Sequence, residues 1–243
     1  MINNIKALLL GLFMVAPLVS TAGHHEEDAP STVGVAYSFN VSDPQAFVGA
    51  MTKYWNSPTG KENPGFATLR QVVAGGENPA THTIAVSYPS YSAMDAAMKL
   101  NAESSDAADL YAVMNKAATI TSRMAFDGTG ITVGNPAAVT NSLPVTMYFM
   151  MKVKDAGAYV KAWKKVSNAT QTETASSLFA ITADGEGGVT HGIAVRGNDM
   201  ATVMGYIKSN QATPEWAEFL KTVSPIRTLE RRMITQDLAV FGR

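Results

Sequence analysis

Two histidines stand in the same local context. Thr81-His82-Thr83-Ile84-Ala85-Val86 returns as Thr190-His191-Gly192-Ile193-Ala194-Val195, an offset of 109 in the numbering, and the register continues through Lys99/Lys208 and Asn101/Asn210. Seven identities fall in the 21 positions from Thr81 to Asn101, where ordinary residue usage would give about one or two. Imidazole changes charge near neutral pH, so such a pair could supply a general base, a metal or haem ligand, or a neutral side chain satisfied by one hydrogen bond. Strand alternation places His82 with Ile84 and Val86, and His191 with Ile193 and Val195, on an apolar face. Duplication copies structural residues as faithfully as functional ones. His82 and His191 are thus the candidate catalytic residues and the expected polar lining of any hollow between two sheets; the alternative packs each under its own helices with the same partner twice.

Arg123 and Arg232 form a second duplicated pair, each followed by Met. Paired guanidinium groups can clamp an anion bidentately, whereas an Arg near a strand end also pairs readily with a surface carboxylate. With them, Tyr37 and Tyr148 are the candidate ligand-binding residues; Phe39, Phe149, Trp55 and Trp163 fit a core first and a pocket wall second. A third possibility sits at the N-terminus. Cleavage after Ala22 would leave Gly-His-His, and the terminal amine, two amide nitrogens and the His25 imidazole suit square-planar Cu(II) or Ni(II); His24 and His25 are the candidate metal ligands, against the alternative of a solvated tail. The Gly-rich stretches Gly75-Gly76 and Gly185-Glu186-Gly187-Gly188 lack a following helix with a phosphate-binding Lys and read as hairpin turns. Neither H-E-x-x-H nor G-x-S-x-G occurs.

The elements that must position these residues follow from hydrophobic periodicity. Val35, Tyr37, Phe39 and Val41 alternate as a strand; Ser42-Asp43-Pro44 caps a helix carrying Phe47, Met51, Tyr54 and Trp55 at helical spacing. A Pro/Gly loop covers 57–65, a strand 66–73, a turn 75–79, the first histidine strand, helices at 91–101 and 105–116, and a strand at 119–126. The order then repeats. Met147, Phe149, Met151 and Val153 alternate at an offset of 112 from their counterparts, and Asp155 opens a helix with Tyr159, Trp163 and Val166. A strand at 178–183, the second histidine strand, helices at 200–209 and 214–223 and a strand at 226–235 complete it, with 238–241 as an added edge piece. The offset falls from 112 to 109, so three extra residues belong to the Pro/Gly loop of the first half. The expected division is 1–22 signal peptide, 23–32 flexible lead, 33–127 first repeat, 128–143 linker and 144–243 second repeat.

Each half reads β-α-β-β-α-β, the ferredoxin-like plan of an α+β fold. Both faces of the strands carry bulky side chains, so the two sheets should cover each other. In this arrangement residues 33–241 resemble the dimeric α/β-barrel superfamily, here as two tandem repeats forming an intramolecular pseudo-dimer. The resemblance rests on element order and duplication. It implies company that includes cofactor-independent monooxygenases, haem-handling enzymes, and decarboxylating or isomerising enzymes. A fold so widely used assigns no chemistry by itself.

Composition narrows the classes. Lys6, the apolar run Ala7–Leu18 and Ser20-Thr21-Ala22 match a cleaved secretory signal, too short for a comfortable bilayer span. Its removal leaves 23–243, takes the formal charge from −1 to −2 with the loss of Lys6, and leaves a chain without cysteine. Disulfides and thiolate metal sites are thereby excluded, and the near-neutral charge argues against nucleic acid. The expectation is an exported, periplasmic or extracellular protein without a membrane span, its oligomeric state open. It would be a binding or accessory protein holding a small apolar or aromatic ligand between its sheets. An enzyme of monooxygenase or isomerase type with His82 or His191 as base and a structural protein with a filled barrel are the alternatives.

Overall fold

The computed structural model describes residues 32–184 and 187–242. The first half comprises β1 (Val33–Val41), α1 (Pro44–Asn56), α2 (Pro58–Glu62), β2 (Phe66–Ala74), β3 (His82–Tyr88), α3 (Tyr91–Ala102), α4 (Ser105–Ala117) and β4 (Ala118–Gly134). The second comprises β5 (Val145–Val153), α5 (Ala156–Thr170), β6 (Ala175–Ala183), β7 (His191–Gly197), α6 (Met200–Gln211), α7 (Pro214–Val223) and β8 (Arg227–Phe241). All these strand pairs are antiparallel. The eight strands close into a barrel in the order β1-β3-β2-β8-β5-β7-β6-β4. Closure leaves no unpaired edge in this barrel, which removes the usual liability of an exposed strand.

Local chemistry sets the helices in matching registers. Asp43 caps α1 by accepting from the Ala46 amide at 3.0 Å, and Asp155 caps α5 by accepting from Ala158 at 2.9 Å. Ser90 and Asp199 do the same for α3 and α6 through Ala93 and Thr202. The register offset is thus 112 for α1/α5 and 109 for α3/α6. The strands agree: Phe39 opposes His82, and Met151 opposes His191. The three extra residues of the first half lie between α1 and β2. There the chain forms the short helix α2 rather than the expected irregular loop, because Ser57 caps it and Pro58 suits a first turn.

Two stretches differ from the sequence reading. The linker assigned to 128–143 begins as strand, since β4 runs on to Gly134 and pairs with β6 of the other half. Gly130 and Gly134 adopt φ of 74° and 83°, which lets the long strand bend past the irregularity between Gly128 and Thr132. Likewise 238–241 is no separate edge piece but the end of β8, paired to β2. Both extensions are the seams that close the barrel, and pairing with a distant strand leaves no periodic signature of its own.

The fold has two kinds of interior. Outside the barrel, each half packs its helices on its sheet: Phe39, Phe47, Met51, Leu69 and Ile84 form the core of the first, and Met151, Tyr159, Trp163, Leu178, Ile193 and Phe219 that of the second. Inside, the opposite faces of the strands surround a lumen.

Candidate functional site

One hollow lies outside the lumen, between the sheet and helices of the second half. It is a cavity of about 410 Å³. Its floor is Phe149, Ser176, Ile193, Val195, Arg227, Leu229 and Arg232; its roof includes Trp163 and Val166 of α5, Tyr206 and Asn210 of α6, and Trp216 and Phe219 of α7. The walls are aromatic, with Trp216 and Phe219 ring centroids 5.2 Å apart and Tyr159 and Phe219 6.1 Å apart.

Polar groups sit at defined points of this aromatic slot. Asn210, only 2 % exposed, donates through Nδ2 to the Tyr206 hydroxyl at 3.1 Å, while its Oδ1 has no partner among the described residues. A buried acceptor left unpaired costs about 1–3 kcal/mol. Arg227 places its guanidinium 5.6 Å from the centroid of Phe219, and its Nε also lacks a partner among the described residues. Burial pushes the Tyr159 hydroxyl up to about 12 against a smaller opposing effect of Arg227, and burial likewise raises Tyr206. Both phenols are therefore neutral at physiological pH.

A second cavity of about 260 Å³ occupies the barrel lumen. It lies against small residues of the first half, Ala36, Ser38 and Ser122, whose register equivalents in the second half are Tyr148, Met150 and Arg231. Gly192 keeps it packed on the far side, since a Cβ there would run into the Phe179 ring and meet the Met150 sulfur at 3.0 Å. Arg70 borders the lumen and donates from Nε to Asp237 at 2.9 Å across the β2/β8 seam; Asp237, 2 % exposed, also meets Arg196 at 3.3 Å.

The sequence-derived candidates are scattered by this geometry. His82 and His191 open β3 and β7 on the helix-facing side, so they do not line the space between the sheets as expected. The cause is strand parity: they share a face with Ile84 and Ile193, which pack under the helices. Each imidazole Nδ1 lies 2.9 Å from the hydroxyl of the preceding threonine, Thr81 or Thr190, and burial lowers both pKa values. Tyr37 stacks on Phe39 under the first half's helices and faces Arg123 in register, which is exposed and borders neither cavity. Arg232 borders both cavities and Tyr148 borders the lumen. The two arginines therefore do not converge on one ligand. His24 and His25 lie outside the described residues; among the described residues no group of three or more His, Asp or Glu gathers as a metal site.

The sequence reading misses Asn210, Tyr206, Trp216 and Arg227 as site residues. A signal for Asn210 exists, since the repeat register pairs it with Asn101, but a shared Asn reads as structural until its partners are compared.

No family model matches the chain, and a search of curated proteins finds no match either. Solved structures do match in fold. A putative monooxygenase from Fusobacterium nucleatum aligns at 15 % identity, with 88 % of this chain and 95 % of that one covered and a TM-score of 0.58. An anthrone oxidase-like protein aligns at 12 % identity over 88 % and 93 % of the two chains, also with TM-score 0.58. A haem-binding protein from Thermus thermophilus aligns at 10 % identity over 86 % and 92 %, with TM-score 0.52. The fold is thus the dimeric α/β barrel of ferredoxin-like halves.

Haem can be tested against the residues present. Haem iron takes an axial His, Cys, Met or Tyr. The described lining of the larger cavity contains no His, Cys or Met, and burial disfavours the phenolate form of Tyr159 and Tyr206. That donor set does not fit an iron-ligated haem there.

Proposed function

Starting from the dimeric α/β-barrel fold, we propose that this protein binds a small aromatic molecule between the sheet and helices of its second half. The observation that carries the reading is the aromatic-walled cavity with buried, unpartnered polar atoms at Asn210 and Arg227. Ligand sites are typically apolar hollows with a few well-placed polar groups, and the unpartnered atoms of Asn210 and Arg227 belong to residues that border the hollow, where an occupant can pair with them. The inter-sheet lumen, where the sequence places the ligand, is the smaller hollow. Crystals grown with 2-naphthol test this: ring density among Trp163, Trp216 and Phe219 is expected, and density confined to the lumen, or none, would overturn it.

A second reading makes the protein an enzyme of monooxygenase or isomerase type, in keeping with the names of two structural neighbours. It is favoured by His191, whose imidazole is kept neutral by burial and stands two residues before Ile193 of the cavity floor. A neutral imidazole can accept a proton. Its test is turnover of a reduced phenolic substrate under oxygen, abolished in His191→Ala. The described lining itself supplies no His, Asp or Glu, which places binding first. Export remains part of the proposal: intact mass of the secreted protein should show a start at Gly23, and copper titration of that material against His25→Ala tests the terminal metal site. No helix among the described residues is long and apolar enough to cross a membrane.

A further inference from the structure

The first half contains, in covalent form, the group that the second half lacks. In the first half the Tyr54 hydroxyl donates to Asn101 Oδ1 at 2.5 Å and accepts from Asn63 Nδ2 at 2.9 Å. Tyr54, on α1, is 4 % exposed and bridges Asn101 of α3 and Asn63 through its hydroxyl. The helix caps fix the equivalences: Tyr54 corresponds to Val166 and Asn101 to Asn210. The asparagine is thus present twice, but only Asn101 receives a phenol proton on its carbonyl; Asn210 meets the Tyr206 hydroxyl through Nδ2 and leaves Oδ1 unpartnered among the described residues. Val166 is too short and too apolar to reach the amide, and it lines the cavity instead. Trp55, beside Tyr54, is likewise replaced by Ser167, which also borders the hollow.

Resting on the binding reading above, we infer that the ligand is a phenol, whose hydroxyl donates to Asn210 Oδ1 as Tyr54 donates to Asn101. Three features select that chemistry. Asn210 Oδ1 is an acceptor, so it requires a donor. The walls are flat aromatic surfaces, which favour a ring over an aliphatic alcohol. Tyr206 already takes one proton of the amide's Nδ2, so Oδ1 is the amide atom left with no partner at all among the described residues. At the other side of the slot, Arg227 offers its unpaired Nε to an oxygen substituent on the ring.

The test is calorimetric titration of the full chain with 2-naphthol and with naphthalene, which differ by the hydroxyl alone. A preference of about tenfold or more for 2-naphthol is expected, because naphthalene leaves the buried carbonyl unpaired. Equal affinities would overturn this inference and leave the aromatic-binding reading standing; binding of neither probe would overturn both. Val166→Tyr supplies the missing phenol from the chain itself. It should keep or raise the melting temperature and lose both probes. A Val166→Tyr protein that still prefers 2-naphthol would contradict the inference, and should that variant fail to fold, the two-probe ratio in the unaltered protein decides alone.

Discussion

The helix-facing interiors of the two halves share a plan and differ in where their aromatic mass sits. In the first, α1 contributes Phe47, Tyr54 and Trp55, and the facing residues of α3 and α4 are small, Ala97 and Ala107. In the second, the counterparts of Tyr54 and Trp55 are Val166 and Ser167, while Tyr206 and Trp216 replace the two alanines. Moving bulk from one helix to two others does not restore the same contact surface, and a hollow opens beside α5. In the lumen three register pairs run from small to bulky, Ala36, Ser38 and Ser122 in the first half against Tyr148, Met150 and Arg231 in the second. The two halves keep one element order and matching helix caps, and differences in side-chain volume make two unlike interiors.

The largest expected effect breaks the filled half. Phe47 is fully buried, so Phe47→Ala should cost about 3–5 kcal/mol in urea unfolding. Trp216→Ala, at the edge of the existing hollow, should cost less, within about 0.5–3 kcal/mol, because fewer contacts are lost. Equal losses would mean the two interiors are packed alike. Next, Tyr54→Val should make the first half resemble the second. It strands Asn101 and Asn63 and should destabilise by about 1–3 kcal/mol; crystals of this variant should show a new hollow beside Asn101.

A smaller effect appears in alkali. Burial pushes Tyr88 in the first half and Tyr159 in the second up to about 12, whereas an unfolded tyrosine ionises near 10. Between those values the unfolded chain binds fewer protons, so stability is intact below pH 10 and falls as pH rises toward 12. Tyr159→Phe should make the decline in melting temperature shallower, leaving the part due to Tyr88.

The smallest effect is where the halves should agree. His82 and His191 both have pKa values lowered by burial. The folded chain then binds fewer protons than the unfolded one, so their contribution is present above pH 6.5 and lost as pH falls through the folded values. Melting curves from pH 7 to 5 should flatten to the same small extent in His82→Gln and His191→Gln; unlike changes would set one histidine apart.

The α+β order, both histidine strands and the helix caps at Asp43 and Asp155 are legible because hydrophobic periodicity and capping residues are local signals. Alternation also identifies the apolar face that carries His82 and His191, yet parity does not say whether helices or the opposing sheet cover it. The length of β4 past Asp127 is not legible, since residues 128–134 pair with 175–179 of β6, far along the chain. The site is the least visible part. Asn210 matters because its carbonyl has no partner among the described residues, and that shows only once the surroundings of Asn101 and Asn210 are compared in space.

The most direct measurement uses the three tryptophans. Trp163 and Trp216 line the cavity of the second half, and Trp55 packs in the core of the first. In Trp55→Phe all tryptophan emission therefore comes from the cavity walls, and titration with 2-naphthol should quench it saturably with one site per chain. The complementary Trp163→Phe/Trp216→Phe protein, emitting from Trp55 alone, should show no saturable change. Quenching of Trp55 with silent cavity tryptophans, or no saturable quenching in either protein, would contradict the assignment of the second half as the ligand site.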